Sequence, residues 1–219
     1  LHKAIRRQRQ MCIRDRRMIK LCGMRREEDI AYANEFLPDF VGFILAEGFW
    51  RRVDIDFAAR ISRNLDSRIK KVGVFVDTPV DTVKRAAESI GLDVIQLHGS
   101  EDRAYIKALG HDTDLWKAVR VQSAEDIYRA EELGCKYLLL DSFVKGQAGG
   151  TGKLCNIDVV KNAEIHLPYF LAGGINERNL ADMLTVSQNI DISGGTETDG
   201  VKDREKIKRI MEIYNERKL

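Results

Sequence analysis

From Met18 onward the chain keeps one rhythm. A short β-branched or apolar run is followed by a longer amphipathic stretch, and the pair recurs eight times. The strand-like runs lie at 19–22, 40–45, 71–76, 94–97, 115–119, 137–140, 169–172 and 190–192. The helix-like segments lie at 26–36, 54–64, 80–90, 101–109, 124–133, 157–163, 177–186 and 204–217. Parallel strands cannot be joined by a tight turn, so strict alternation means parallel strands with helical crossovers. Eight such units in 219 residues suit a single (β/α)8 barrel, the TIM-barrel architecture of the α/β class, better than an open sheet. A doubly wound sheet is the alternative that periodicity alone leaves standing. Helix starts are expected at Thr78-Pro79, at Ser100-Glu101, and at Ser123 with Asp126 three residues on. Gly91, Gly110 and Gly134 stand where C-cap glycines belong.

No internal repeat or linker divides the chain, and its length allows one sizeable core. A hydrophobic share of 44% beside 32% charge is globular composition and excludes a disordered chain. No apolar run approaches the roughly 20 residues of a membrane helix. Cys12, Cys22, Cys135 and Cys155 form no CxxC pair, and with His2, His98, His111 and His166 they show no metal-ligand spacing. The expectation is a reduced, cytoplasmic, metal-free protein. The net charge of +2 hides an asymmetry: residues 1–17 hold seven Lys/Arg and one Asp, a balance of +6, which leaves −4 for residues 18–219. That basic stretch has no apolar h-region, no sustained apolar face and no aromatic interleaving. It reads as a disordered or non-native extension, with Met18 as the natural start and residues 18–219 as the barrel domain. RNA binding is the weaker alternative.

Barrels keep their chemistry at the C-terminal ends of their strands, and phosphate often sits in the loops after strands seven and eight. The first strand closes as IKLCG. Alternation puts Lys20 and Cys22 on one face, turned to the barrel interior, and Ile19 and Leu21 on the other. The fourth strand closes with Gln96-Leu97-His98-Gly99, and the sixth, LLLDS, with Asp141. Taken singly, Cys22 reads as readily as a small buried hydrophobe, and Asp141 as a turn cap. Strand seven runs into LAGGIN and strand eight into DISGGTETDGVKD. The doublets Gly173-Gly174 and Gly194-Gly195 let backbone amides approach an anion, and helix starts behind them would add a favourable dipole end. Ordinary tight turns are the plainer reading. The loop GQAGGTGK after strand six fails as a Walker motif, because five residues separate Gly146 from Gly152 and Leu154 stands where Ser or Thr is required. Cys155 occupies the third glycine of a dinucleotide fingerprint. The loop is expected to be a flap beside Asp141, or a plain flexible loop.

The series KLCG, GFIL with RRV, KVGVFVD, IQLHG, KAVRV, LLLDS with GGTGK, LAGGIN and DISGG with GVKD resembles phosphoribosylanthranilate isomerase. It recurs in that family's order from Met18 to near the end of the chain. The resemblance implies that Cys22 is the general base, Asp141 the general acid, and Arg51 the holder of the anthranilate carboxylate. It implies that Gln96 and His98 line the pocket, with Gly173, Gly174, Asp191, Ser193, Gly194 and Gly195 binding the rest of the substrate. Two departures stand out. Phe49-Trp50 replaces the family's usual Ser–Pro or similar polar pair, which leaves Arg52 as a second candidate for the carboxylate. The last loop reads SGG where the family has SSG, so Gly194 must act through its backbone.

The implied reaction is an Amadori rearrangement of N-(5-phosphoribosyl)anthranilate in tryptophan biosynthesis. An acid protonates the furanose ring oxygen, and a base removes the C2′ proton from the resulting Schiff base. No cofactor is needed. A free Cys titrates near 8.5 and needs help to be a base, for which Lys20 is the candidate. An Asp titrates near 3.9 and needs desolvation or nearby negative charge to stay an acid. The expected partner is a small phosphorylated substrate, without nucleic acid or membrane; monomer and homodimer both stay open. The histidine-pathway isomerase relies on paired aspartates, and indole-glycerol-phosphate synthase on a Lys/Glu set in a longer chain. A Cys closing strand one argues against both. A barrel that binds without turnover is opposed by Cys22, Arg51 and Asp141 occurring together.

Overall fold

The computed structural model describes residues 17–110, 112–141 and 157–216. The basic stretch 1–16, the glycine-rich loop 146–153 with its expected flap, and the expected helix end at 217 lie outside the described residues. The strands are β1 Ile19–Cys22, β2 Phe40–Ile44, β3 Lys70–Phe75, β4 Val94–Leu97, β5 Asp114–Arg120, β6 Tyr137–Asp141, β7 Tyr169–Leu171 and β8 Ile190–Ile192. Each pairs in parallel with the next, and β8 pairs back onto β1, closing the barrel. The helices are α1 Glu27–Phe36, α2 Ile55–Ser62, α3 Val80–Ile90, α4 Arg103–Leu109, α5 Ala124–Glu131, α6 Ile157–Asn162, α7 Leu180–Met183 and α8 Arg204–Glu216. After β8 a 3-10 turn, Gly194–Thr196, leads into a small antiparallel hairpin of β9 Glu197–Thr198 and β10 Val201–Lys202. Among the described residues no helix is long and apolar enough to cross a membrane.

Alternation along the strands sorts side chains into two cores. Ile19, Leu21, Val41 and Phe43 face outward and pack with helix residues such as Ile30, Ile61 and Ile207. Phe40, Val72, Val94, Trp116, Tyr137, Leu139 and Phe170 fill the interior. The largest of these lie near the strand starts. There the Trp116 and Phe170 rings stack at 4.6 Å, and Phe40 meets Trp116 edge-on at 4.9 Å. This aromatic plug closes the lower barrel and leaves polar side chains to the upper end.

Local signals hold in part. Ser123 opens α5 as expected, its backbone N–H donating to Asp126 at 2.8 Å. Gly91 ends α3 in the left-handed conformation, φ 66°. At two helix starts the expected cap is overturned. Helix α4 begins later than expected, capped by Asp102, which accepts the Tyr105 N–H at 2.8 Å. Glu101 instead turns inward to the Lys117 ammonium, 2.9 Å away, and Ser100 donates to Asp77. Thr78 does not cap α3, because Pro79 holds the N-cap position and the Thr78 hydroxyl donates to the Val76 carbonyl. The expected helix 177–186 shrinks to the four residues of α7. There the Asn176 and Asn179 side chains accept nearby backbone N–H groups and hold the chain in a turn.

Candidate active site

A cavity of about 870 Å³ opens at the C-terminal ends of the strands, a size suited to a small-molecule ligand. Cys22 from β1, Gln96 and His98 from β4 and its end, Asp141 from β6, and Asp191 from β8 line it. So do Arg51 after β2, Gly173 and Gly174 after β7, and Ser193, Gly194 and Gly195 after β8. The structure thus brings every sequence-expected site residue to one cavity. Arg52 is not among the lining residues and pairs with Asp54 at 2.9 Å.

The register of β1 on β8 sets Lys20 beside Asp191, and the ammonium donates to the carboxylate at 2.9 Å. Lys20 is fully buried. Burial works against its charge, yet Asp191 and Cys22 outweigh burial and its pKa ends above the ordinary value. Gly42 makes the room: a Cβ there would lie 2.8 Å from Cys22 Sγ and 3.2 Å from Lys20 Nζ. Burial pushes the Cys22 thiol up. Lys20 pulls it down by less, and Asp191 pushes it further up. The help expected from Lys20 is therefore present but outweighed, because the ammonium is desolvated with the thiol and paired to a carboxylate. Burial thus favours the protonated form of Cys22.

Across the cavity, Gln96 is almost completely buried, and its amide nitrogen lies 3.3 Å from His98 Nδ1. With the Gln96 amide in this orientation, its NH2 donates, which suits the His98 tautomer that accepts at Nδ1 and carries its proton on Nε2. That nitrogen lies 3.4 Å from Asp141 Oδ2. Gln96, His98 and Asp141 thus form a line reaching from β4 over β5 to β6. Gln96 Oε1 and Ser193 Oγ are buried without a hydrogen-bond partner among the described residues. Buried acceptors of this kind suit polar groups of a ligand.

Arg51 is held on an edge and on a face. Its Nε and Nη2 donate to Glu197 at 2.9 and 2.7 Å, and its guanidinium carbon lies 4.1 Å from the Trp50 ring centre. Glu197 also accepts from Lys202, 2.9 Å away and buried. Burial alone would raise the Glu197 carboxyl, but Arg51 and Lys202 reverse this and hold it below the usual range. Burial pushes the Lys202 amine below its ordinary value, which Glu197 only partly offsets. Sequence reasoning missed Glu197 and Lys202. The signal was there: Asp199-Gly200 is a hairpin dipeptide, and both residues have positive φ, 50° and 77°. A two-residue turn at that point sets Glu197 opposite Lys202, as observed.

The glycine loops after β7 and β8 touch one another. A Cβ on Gly195 would fall 2.0 Å from the Ile175 carbonyl oxygen, so only glycine permits this approach. The helix dipole expected behind these loops is not present in the form anticipated. Helix α7 has four residues and starts well past Gly174, and a 3-10 turn with a hairpin separates β8 from α8. The anion reading thus rests on backbone amides, with Arg178 and Lys206 on the cavity lining.

Residues 19–213 match the family described as N-(5'phosphoribosyl)anthranilate (PRA) isomerase. The N-(5'-phosphoribosyl)anthranilate isomerase of Thermoanaerobacter sp. (strain X514) is 40% identical over 196 residues, which cover 89% of this chain and 96% of that protein. The crystal structure of phosphoribosyl anthranilate isomerase from Thermus thermophilus superposes with a TM-score of 0.80 at 30% identity, covering 91% of this chain and 98% of that one. A phosphoribosyl anthranilate isomerase in complex with reduced 1-(o-carboxyphenylamino)-1-deoxyribulose 5-phosphate superposes with a TM-score of 0.76 at 27% identity, covering 92% and 100%. Matched from β1 through α8, this barrel belongs to the N-(5'-phosphoribosyl)anthranilate isomerase family and is an isomerase of tryptophan biosynthesis.

Proposed function

We propose that Cys22 is the base and Asp141 the acid of an Amadori rearrangement in this cavity. It converts N-(5'-phosphoribosyl)anthranilate into 1-(2-carboxyphenylamino)-1-deoxyribulose 5-phosphate. One observation carries the reading: Cys22 on β1 and Asp141 on β6 line the same cavity, with a guanidinium and two glycine loops around it. The substrate has three handles. Arg51 takes the anthranilate carboxylate, and the amides of Gly173, Gly174, Ser193, Gly194 and Gly195 take the phosphate. The ribose then lies between base and acid.

Asp141 gives its proton to the furanose ring oxygen. The C1′–O bond breaks, and the nitrogen lone pair forms the Schiff base. Cys22 first loses its thiol proton to water in the open cavity. The thiolate then takes the C2′ proton, and the freed electron pair gives an enolamine that tautomerises to the ketone. No electron leaves or enters, so positioned acid and base groups suffice. His98, with Nε2 toward Asp141, orients the acid, and Gln96 sets the imidazole tautomer. Asp191 keeps Lys20 charged beneath the base. We place the enzyme in the cytoplasm, where Cys22 stays reduced, with a small phosphorylated substrate and no nucleic acid as its partner.

Turnover of freshly prepared phosphoribosylanthranilate, followed by loss of its fluorescence, tests the reading. Cys22→Ser and Asp141→Asn are each expected to lower kcat by about 10²- to 10⁴-fold, the usual worth of a positioned proton-transfer group. Both should still bind reduced 1-(o-carboxyphenylamino)-1-deoxyribulose 5-phosphate. Near wild-type turnover in either variant refutes that residue's role. Loss of binding together with rate makes it structural.

A further inference from the structure

A guanidinium offers a carboxylate two bidentate edges, one formed by Nε and Nη2 and one end-on by Nη1 and Nη2. In Arg51 the first edge is taken by Glu197, at 2.9 and 2.7 Å. Trp50 covers one face of the same group at 4.1 Å. Among the described residues, what stays available is the end-on edge, carried by a residue that lines the cavity. Lys202 cannot serve a ligand itself. Its three protons go to Glu197 Oε1 at 2.9 Å, the Ser193 carbonyl at 3.0 Å and the Thr196 hydroxyl at 3.0 Å. With Lys202 protonated against Glu197, the three side chains Arg51, Glu197 and Lys202 together carry one net positive charge. One anionic group on a ligand balances it.

We propose that Glu197 is a positioning residue for the substrate's carboxylate: it grips one edge of Arg51 so that the end-on edge faces the cavity, and Lys202 anchors Glu197 in that pose. The inference rests on Arg51 being the carboxylate anchor and adds how that anchor is aimed. Without Glu197, the long Arg51 side chain regains its rotamers, and a ligand must pay the ordering cost on binding. With it, the donor pair is set before the ligand arrives. The hairpin register supplies the geometry, because it sets Glu197 directly opposite Lys202.

The test is a double-mutant cycle on Glu197 and Arg51. Binding of reduced 1-(o-carboxyphenylamino)-1-deoxyribulose 5-phosphate is compared with that of its anilino counterpart lacking the carboxylate, and inorganic phosphate inhibition is measured alongside. Glu197→Gln is expected to weaken the carboxylate-bearing ligand roughly ten- to a hundredfold, the scale of a hydrogen bond to a charged group. KM should rise with kcat little changed, while the anilino ligand and phosphate bind as before. In an Arg51→Ala background the same change should have no further effect. Equal weakening of all three ligands, or a full effect persisting without Arg51, overturns the proposal. If Arg51→Ala itself spares the preference for the carboxylate, the anchor assignment fails instead. Glu197→Gln leaves a buried ammonium without its anion, so Glu197→Gln with Lys202→Met supplies a neutral pair for the same cycle should the single variant not fold.

Discussion

The pair at the cavity floor sets stability and reactivity against each other, and Lys20→Met separates them. Lys20 is fully buried and its ammonium donates to Asp191 at 2.9 Å. At an effective dielectric of about 20, two unit charges that close attract by roughly 5–6 kcal/mol. Desolvation of both ions consumes much of that, so the intact pair adds little net stability. Removing one partner is another matter: Asp191 would keep a buried charge with no cation, at a cost of about 3–5 kcal/mol. For a domain of this size each kcal/mol moves Tm by roughly 2–4 °C, so the variant should melt about 6–20 °C lower. Lys20→Met with Asp191→Asn removes both charges and should recover most of the loss. Activity should not recover, because the thiol then has no neighbouring ammonium on its own strand. Burial already pushes the Cys22 thiol above its ordinary value. The wild-type kcat/KM should therefore climb with pH through and beyond the ordinary thiol range, and the variants should need a higher pH still. The stability sign is opposite. Above the ordinary thiol pKa the unfolded chain loses the Cys22 proton and the folded chain keeps it, so the fold weakens as pH rises. Calorimetric melts and a pH–rate profile on the same samples check this. A Lys20→Met enzyme that melts with the wild type, or a kcat/KM already flat at neutral pH, refutes the reasoning.

Gly195→Ala forces a methyl against the Ile175 carbonyl oxygen, which a Cβ would meet at 2.0 Å; prising the two loops apart should cost about 1–3 kcal/mol and weaken competitive inhibition by inorganic phosphate. Unchanged phosphate inhibition would mean the anion sits elsewhere. Phe170→Ala opens the aromatic plug beneath the site and should cost about 3–5 kcal/mol in chemical denaturation, with the anthranilate specificity kept. A loss much below that range would show that the plug rearranges to fill the gap.

What was legible in the chain followed from burial. Parallel strands covered on both sides carry apolar runs, so all eight strands could be read. Alternation along the first strand turned Lys20 and Cys22 inward, as the fold has them, while the Asp191 that pairs with Lys20 came only with the β1–β8 register. Closure was not legible, because the pairing of β8 with β1 is made between residues about 170 positions apart, such as Ile19 and Ile190. The expected start of α4 failed because a distant partner outbid the local one. Glu101 looked like a first-turn acid of α4, but Lys117 on β5 drew it inward, and its carboxylate now accepts the Asp77 and Gly99 backbone N–H groups. Phe49-Trp50 was legible only as a departure from the family pattern; in the fold Trp50 lies over Arg51.

Glu197 was missed for a related reason, and that reason explains how the site is built. Strand-end logic looks for side chains pointing up out of the barrel, while Glu197 and Lys202 lie beyond β8 in a hairpin of their own. From there one short segment reaches both proposed anchors and, through charge, the Cys22 thiol. Ser193, Gly194 and Gly195 supply the amides proposed for the phosphate, and Glu197 grips the guanidinium proposed for the carboxylate. Lys202 joins the two by donating to Ser193 and to Glu197, and its charge also pulls on the Cys22 thiol. A ligand that fills only one end of the cavity therefore presses on a segment that also shapes the other. Phosphate and carboxylate binding should then be thermodynamically coupled through residues 193–202, with neither side chain touching both groups.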